Sequence, residues 1–183
     1  MTGMAIDDWL PQYQVSATYS VFVHASDAKT YAALEQASFS DLAIVRGLMW
    51  LRGYRLGRGS IPGPDGRKDA RGSFLELASV PQQEVVLGIA GRFWRPDGGI
   101  VRGLTPAAFA DFRREGYAKA VWNFSFSPAD GRTQLRTETR VQTFGRPATL
   151  KFRAYWLLVG PFSGLIRKAM LHQVKQIAEQ PAV

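Results

Sequence analysis

A chain of 183 residues, 46% hydrophobic and 21% charged, has the length and composition of one globular domain, and no low-complexity tract or internal repeat divides it. Cysteine is absent, which excludes thiol catalysis, disulfides and cysteine-based zinc sites and gives no sign of an oxidising compartment. The formal net charge of +8 invites an anionic partner, but Lys and Arg are spread over the whole chain, so a diffusely solvated basic surface accounts for it. Nucleic acid is therefore not expected as a partner, while an anionic membrane surface stays open.

Residues 1–13 read as a lead-in segment. They carry Asp7 and Asp8 and no apolar core, so they do not resemble a signal peptide and the chain is expected to be cytoplasmic. Either aspartate can cap one helical turn before Pro11. From Val15 to Val23 apolar and polar residues alternate, the period of a half-buried strand. Ser26 or Asp27 can then cap a helix to about Gln36, and Ser40 or Asp41 a second one over residues 42–53. Residues 57–72 are rich in Gly, Pro and charge and read as a flexible loop. It is either a lid or phosphate-gripping loop or a solvated connection, and Gly57, Gly59 and Gly63 lack the spacing of a phosphate-binding fingerprint.

Strands are expected over residues 74–80, 84–94, 100–103, 117–126 and 134–143, separated by turns at 80–83, 96–99 and 129–131, with a helical turn at 106–114. On the last strand Leu135, Thr137, Thr139 and Val141 form the apolar side, and Arg136, Glu138, Arg140 and Gln142 read as an exposed ladder of charge worth little energetically. Ala118, Ala120, Trp122, Phe124 and Phe126 share one face of the strand before it.

Residues 147–179 then form the longest element, a helix of about 50 Å at about 1.5 Å per residue. Tyr155, Leu158, Phe162, Leu165, Ile166, Ala169 and Ile177 recur at helical spacing and are expected to face the sheet. Lys151, Arg153, Arg167, Lys168 and Lys175 are expected on the solvated side. Pro161 deletes a helical hydrogen bond, which predicts a kink near Gly160 or a short break with a restart at Ser163. The apolar run 156–166 is shorter than the roughly 20 residues that cross a bilayer.

Three stretches, VFVHAS at 21–26 followed at once by a helix, TETRV at 137–141 and YWLLVGPFSGLIRKAM at 155–170, resemble the helix-grip (SRPBCC) superfamily. That group includes START-like lipid-transfer domains, polyketide cyclases and birch-pollen-allergen-like proteins. The resemblance implies an α+β fold in which a curved antiparallel sheet wraps round a long kinked C-terminal helix, with two short helices after the first strand. It also implies a cavity between sheet and helix that takes an apolar ligand.

Candidate chemistry is sparse. His24 and His172 lack ligand spacing, so no metal is expected; no cofactor is called for, and no serine elbow occurs. Trp122, Phe124, Tyr155, Phe162 and Ile166 are the expected ligand-binding residues, with Phe93, Trp94 and Arg92 at one end. The hairpin 91–103 sets Arg92, Arg95 and Arg102 around Trp94, either to hold an anionic head group or as a solvated tip; the parity of Arg92 and Trp94 is open. For acid–base catalysis the candidates are Glu76 and Tyr117, and a Glu76 turned outward onto an arginine is the alternative. The leading expectation is a protein that binds or carries an apolar small molecule, with an anionic group as an option. A cyclase or dehydratase using the same cavity comes second, and a basic module for nucleic acid or membrane third. Oligomeric state is not set by the sequence.

Overall fold

A computed structural model describes residues 4–37, 74–95 and 97–181. The helix expected at 42–53 and the loop at 57–72 lie outside the described residues. The described elements are α1 (Ala5–Trp9), β1 (Val15–Val23), α2 (Asp27–Gln36), β2 (Leu75–Val80), β3 (Glu84–Gly91), α3 (Pro106–Ala110), β4 (Ala118–Ala129), β5 (Arg132–Thr143) and α4 (Arg146–Ala178). The strands make one curved, fully antiparallel sheet in the order β1-β5-β4-β3-β2. Sheet and long helix together are the helix-grip arrangement.

Local chemistry explains most boundaries. The Ser26 hydroxyl accepts the Lys29 amide and starts α2, and Thr105 does the same for Ala108 at α3, where Pro106 fills the first turn. Between β4 and β5, Asp130 and Gly131 both take positive φ, as a two-residue hairpin turn requires. β3 ends at Gly91, three residues before the expected end, because hydrogen bonds from Arg95 to Arg92 and from Gly98 to Arg95 coil the chain into turns. The strand expected at 100–103 is reduced to a single bridge between Ala90 and Val101.

Both faces of the sheet are covered. On the outer face α1 and α3 enclose Ile6, Leu10, Val86, Val121 and Phe109. Two members of the charged ladder expected to be exposed lie under this cover: Glu138 is 4% and Arg140 6% exposed, whereas Arg136 and Gln142 are half-buried. Arg140 donates to Glu138 at 2.7 Å and pairs with Asp7 at 2.7 Å. Burial opposes the Arg140 charge, but those carboxylates outweigh it and hold its pKa up. Asp7 is thus a partner of the sheet and not a helix cap. The Glu84 carboxylate takes the capping role, accepting the Ala5 amide at 2.6 Å while Asn123 donates to it at 2.6 Å.

On the inner face α4 packs against β1, β5 and α2, and its far end is latched where the Glu179 carboxylate accepts the His24 amide and Lys175 donates to the Phe22 carbonyl. The helix runs unbroken through Pro161, so the restart at Ser163 does not occur. The carbonyl that Pro161 leaves unpaired belongs to Leu157, a residue 79% exposed, where water can satisfy it.

The helix is phased differently from the sequence expectation. Its buried side is Ala148, Phe152, Gly164, Arg167, Met170, Leu171, Val174 and Ala178. Leu158 is 74% exposed, and Phe162 and Leu165 are exposed as well. Between Trp156 and Ile166 the helix is apolar on nearly every side, so that stretch cannot set the phase. Phe152 at one end and Leu171 with Val174 at the other set it, and they turn Arg167 inward.

Candidate functional site

Strand register assigns the inner face row by row. Glu76, Leu87, Trp122, Thr139 and Ala17 are successive cross-strand partners, so all five side chains point toward α4. The neighbouring rows place Tyr19 with Thr137, Phe124 and Val85 on one side, and Ile89 with Ala120, Val141 and Val15 on the other. Two separate apolar clusters form on this face. One gathers Phe124, Phe126, Leu135, Met170, Leu171 and Val174 under the last turns of α4. The other gathers Ala118, Ala120, Val141 and Phe152, with Phe93 and Trp156 against it, under the first turns.

Between the clusters the inward side of α4 is built from small residues. Gly160, Ser163 and Gly164 precede Arg167 at steps of three, one and three, which keeps all four on one stripe. A Cβ at Gly164 would collide with the Tyr19 hydroxyl, so glycine is what lets that ring end against the helix backbone.

Arg167 is the unexpected member. It is only 9% exposed, and its guanidinium lies 4.5 Å from the Trp122 ring centroid in cation–π contact. Burial pulls its pKa down to about 10, against a smaller favourable effect of Tyr19, so it remains a cation at neutral pH. None of the hydrogen bonds or ion pairs among the described residues reaches it. Trp122 meets Phe74 edge-on at 4.7 Å, and its indole nitrogen is buried without a hydrogen-bond partner. Arg167 was expected on the solvated side together with Lys151, Arg153, Lys168 and Lys175. A usable signal did exist: Arg167 lies four residues before Leu171 and seven before Val174, so the phase of the helix end carries it inward.

The other expected ligand residues are divided. Trp122 and Phe124 are buried in the sheet, and Ile166 packs half-buried on the same cluster. Tyr155 and Phe93 flank Phe152 at 5.9 and 6.4 Å, with Trp94 in that second cluster. Phe162 lies on the exposed side of the helix. The hairpin does not gather its arginines. Arg92 stacks on the Tyr117 ring at 4.3 Å, Arg95 pairs with Asp97, and Arg102 is exposed. Because β3 ends at Gly91, strand parity governs neither Arg92 nor Trp94: Arg92 goes to Tyr117 and Trp94 to the inner cluster.

Glu76 and Tyr117 are not brought together. Glu76 is half-buried and, as the cross-strand partner of Leu87, lies on the inner face; among the described residues no arginine pairs with it. Tyr117 has the opposite parity to Ala118 and is sandwiched between Arg92 and Arg114 with Phe112 at its edge. A second basic group, Lys119, is buried on the outer face at 1% exposure and donates to the Phe109 and Ala110 carbonyls at the end of α3. Burial, with a smaller contribution from Arg113 and against that of Asp111, lowers its pKa to about 8. Both histidines are exposed, and among the described residues no group of His, Asp and Glu is placed to hold a metal ion. No helix among the described residues is long and apolar enough to cross a membrane.

No family model and no curated protein matches the sequence. Solved structures do resemble the chain. Protein MLL2253 from Mesorhizobium loti aligns with a TM-score of 0.40 and 14% identity over 92% of this chain and 100% of that one. CalU16 from Micromonospora echinospora aligns at 0.34 and 13% over 90% and 83%, and Ara h 8.0201 at 0.31 and 9% over 90% and 97%. At such scores and identities the likeness carries no functional argument, and the site is read from its own residues.

Proposed function

We propose that this protein binds or carries an apolar small molecule between the inner face of the sheet and α4. The observation that supports the reading is that the two apolar clusters on the inner face do not merge: under the middle of α4 they leave the polar groups of Arg167 and the Trp122 indole facing each other instead of a continuous apolar core. The Tyr19 ring takes the space beside Gly164. The surrounding Tyr19, Trp122 and Phe74 supply the aromatic walls common in such sites.

The test is native mass spectrometry of the freshly purified full chain with solvent extraction, followed by fluorescence titration with N-phenyl-1-naphthylamine. A discrete extractable mass, or saturable one-to-one binding of the probe, supports the reading. A clean mass together with no saturable binding removes it.

An enzymatic reading of cyclase or dehydratase type is favoured by one observation, the inward Glu76, which no basic group among the described residues pairs with. An extracted compound that is converted by the native protein but not by Glu76→Gln, with binding retained, would establish it. Equal conversion by both would dismiss Glu76 as an acid or base.

A further inference from the structure

We infer that the ligand carries an anionic group, a carboxylate, sulfonate or phosphate, and that Arg167 with the Trp122 indole N–H receives it inside the fold. The inference rests on the cavity reading above and adds the chemical class of the ligand and the residues that select it. Its starting point is a mismatch. Arg167 is nine-tenths buried and charged, yet no acceptor among the described residues meets its guanidinium. Buried cations elsewhere in the molecule are answered: Arg140 by Glu138 and Asp7, Lys119 by two carbonyls.

The second observation is independent of the first. The indole nitrogen of Trp122 is a buried donor with no partner, and it belongs to the ring over which the Arg167 head lies at 4.5 Å. The indole N–H and the Arg167 guanidinium, which no acceptor among the described residues meets, are thus within reach of one multi-oxygen anion. Arg92 and Arg136 also keep an unpartnered Nε, but their heads are engaged by Tyr117 and Glu138. Among the described residues no group neutralises Arg167. Within that set Tyr19 on β1 is its one electrostatic neighbour of note, Lys168 sits over the Tyr19 ring, and Glu76 stands two strands from Trp122 without pairing. An unpaired buried charge is costly, and leaving it open is the arrangement of a site that a ligand completes.

The experiment uses two probes with the same apolar body, 8-anilino-1-naphthalenesulfonate and its neutral parent N-phenyl-1-naphthylamine. Both are titrated into the full chain at one ionic strength and followed by fluorescence. The native protein should bind the sulfonate about tenfold or more tighter, as a buried charge-assisted contact warrants. Arg167→Gln should abolish that preference while holding the affinity for the neutral probe within about threefold, and Arg167→Lys should restore part of it. Arg167→Met serves as the second charge-free variant should the Gln protein fail to fold. A preference that survives loss of Arg167 locates the anion on the general basic surface and overturns the inference, as does a native protein with no preference. Absence of saturable binding by either probe removes the cavity reading, and the inference with it.

Discussion

Replacing Arg167 by Met should make the ligand-free protein more stable, an unusual outcome for a buried position. The pKa lowered to about 10 corresponds to on the order of 3 kcal/mol of disfavoured charge. Stacking on Trp122 returns up to about 2 kcal/mol when desolvated, so the net penalty is about 1–2 kcal/mol. Met keeps most of the aliphatic length without the charge, and exchanges of this kind are often neutral or stabilising. For a chain of this size about 2–4 °C accompanies each kcal/mol, so the unfolding midpoint should rise by about 2–8 °C. Circular dichroism melts at pH 7 on extensively delipidated protein measure it, and urea titration checks that the slope is unchanged. A loss of more than about 2 kcal/mol would mean that the guanidinium has a structural partner in the folded state, and would sink the argument that it waits for a ligand.

Helix phase can be tested by a matched pair. Leu158→Ala should cost under about 0.5 kcal/mol because the side chain is exposed, while Leu171→Ala should cost about 2–5 kcal/mol; equal costs would contradict the packing described. Arg140→Ala should cost about 3 kcal/mol in denaturant, since it strips a partner from buried Glu138 and releases the α1 clamp at Asp7. A neutral result would assign the network no structural weight. Lys119 should give a pH signature. Below about 8 both folded and unfolded states hold its proton, whereas between about 8 and the ordinary value near 10.4 only the unfolded state does. Its contribution to stability therefore rises with pH across that window. Melting curves of the native protein and Lys119→Met should converge or cross as pH is raised, and parallel curves would refute the assignment.

Periodicity made the strands legible because strand parity is strict: β1 and the ends of β5 and α2 fall where alternation and capping place them. Two features escaped it. The stretch beyond Gly91 failed as strand because the chain turns already at residues 92–95, ahead of the expected turn at 96–99, with the Arg95 amide donating to the Arg92 carbonyl, a choice that apolar content does not reveal. The phase of α4 failed because residues 156–166 are apolar on almost every side, so counting apolar positions there says nothing about direction. Only the two ends, where large buried residues face polar ones, hold that information.

A related limit explains the charged face of β5. Parity correctly separated Glu138 and Arg140 from Leu135 and Val141, but parity says which side a residue takes, not what covers that side. Residues 4–10 cover it, and Glu138 and Arg140 are buried with their partners supplied by Asp7, Asn123 and the Leu10 carbonyl, while Glu84 holds Asn123 in place. The same fold can therefore satisfy charge buried between its layers. That ability gives the inner face its meaning, because Arg167 and Trp122 are buried to a similar degree and, among the described residues, no such network is built round them. A layer that must hold its own structure is closed on its own groups, whereas a layer that receives a ligand leaves the ligand's partners open.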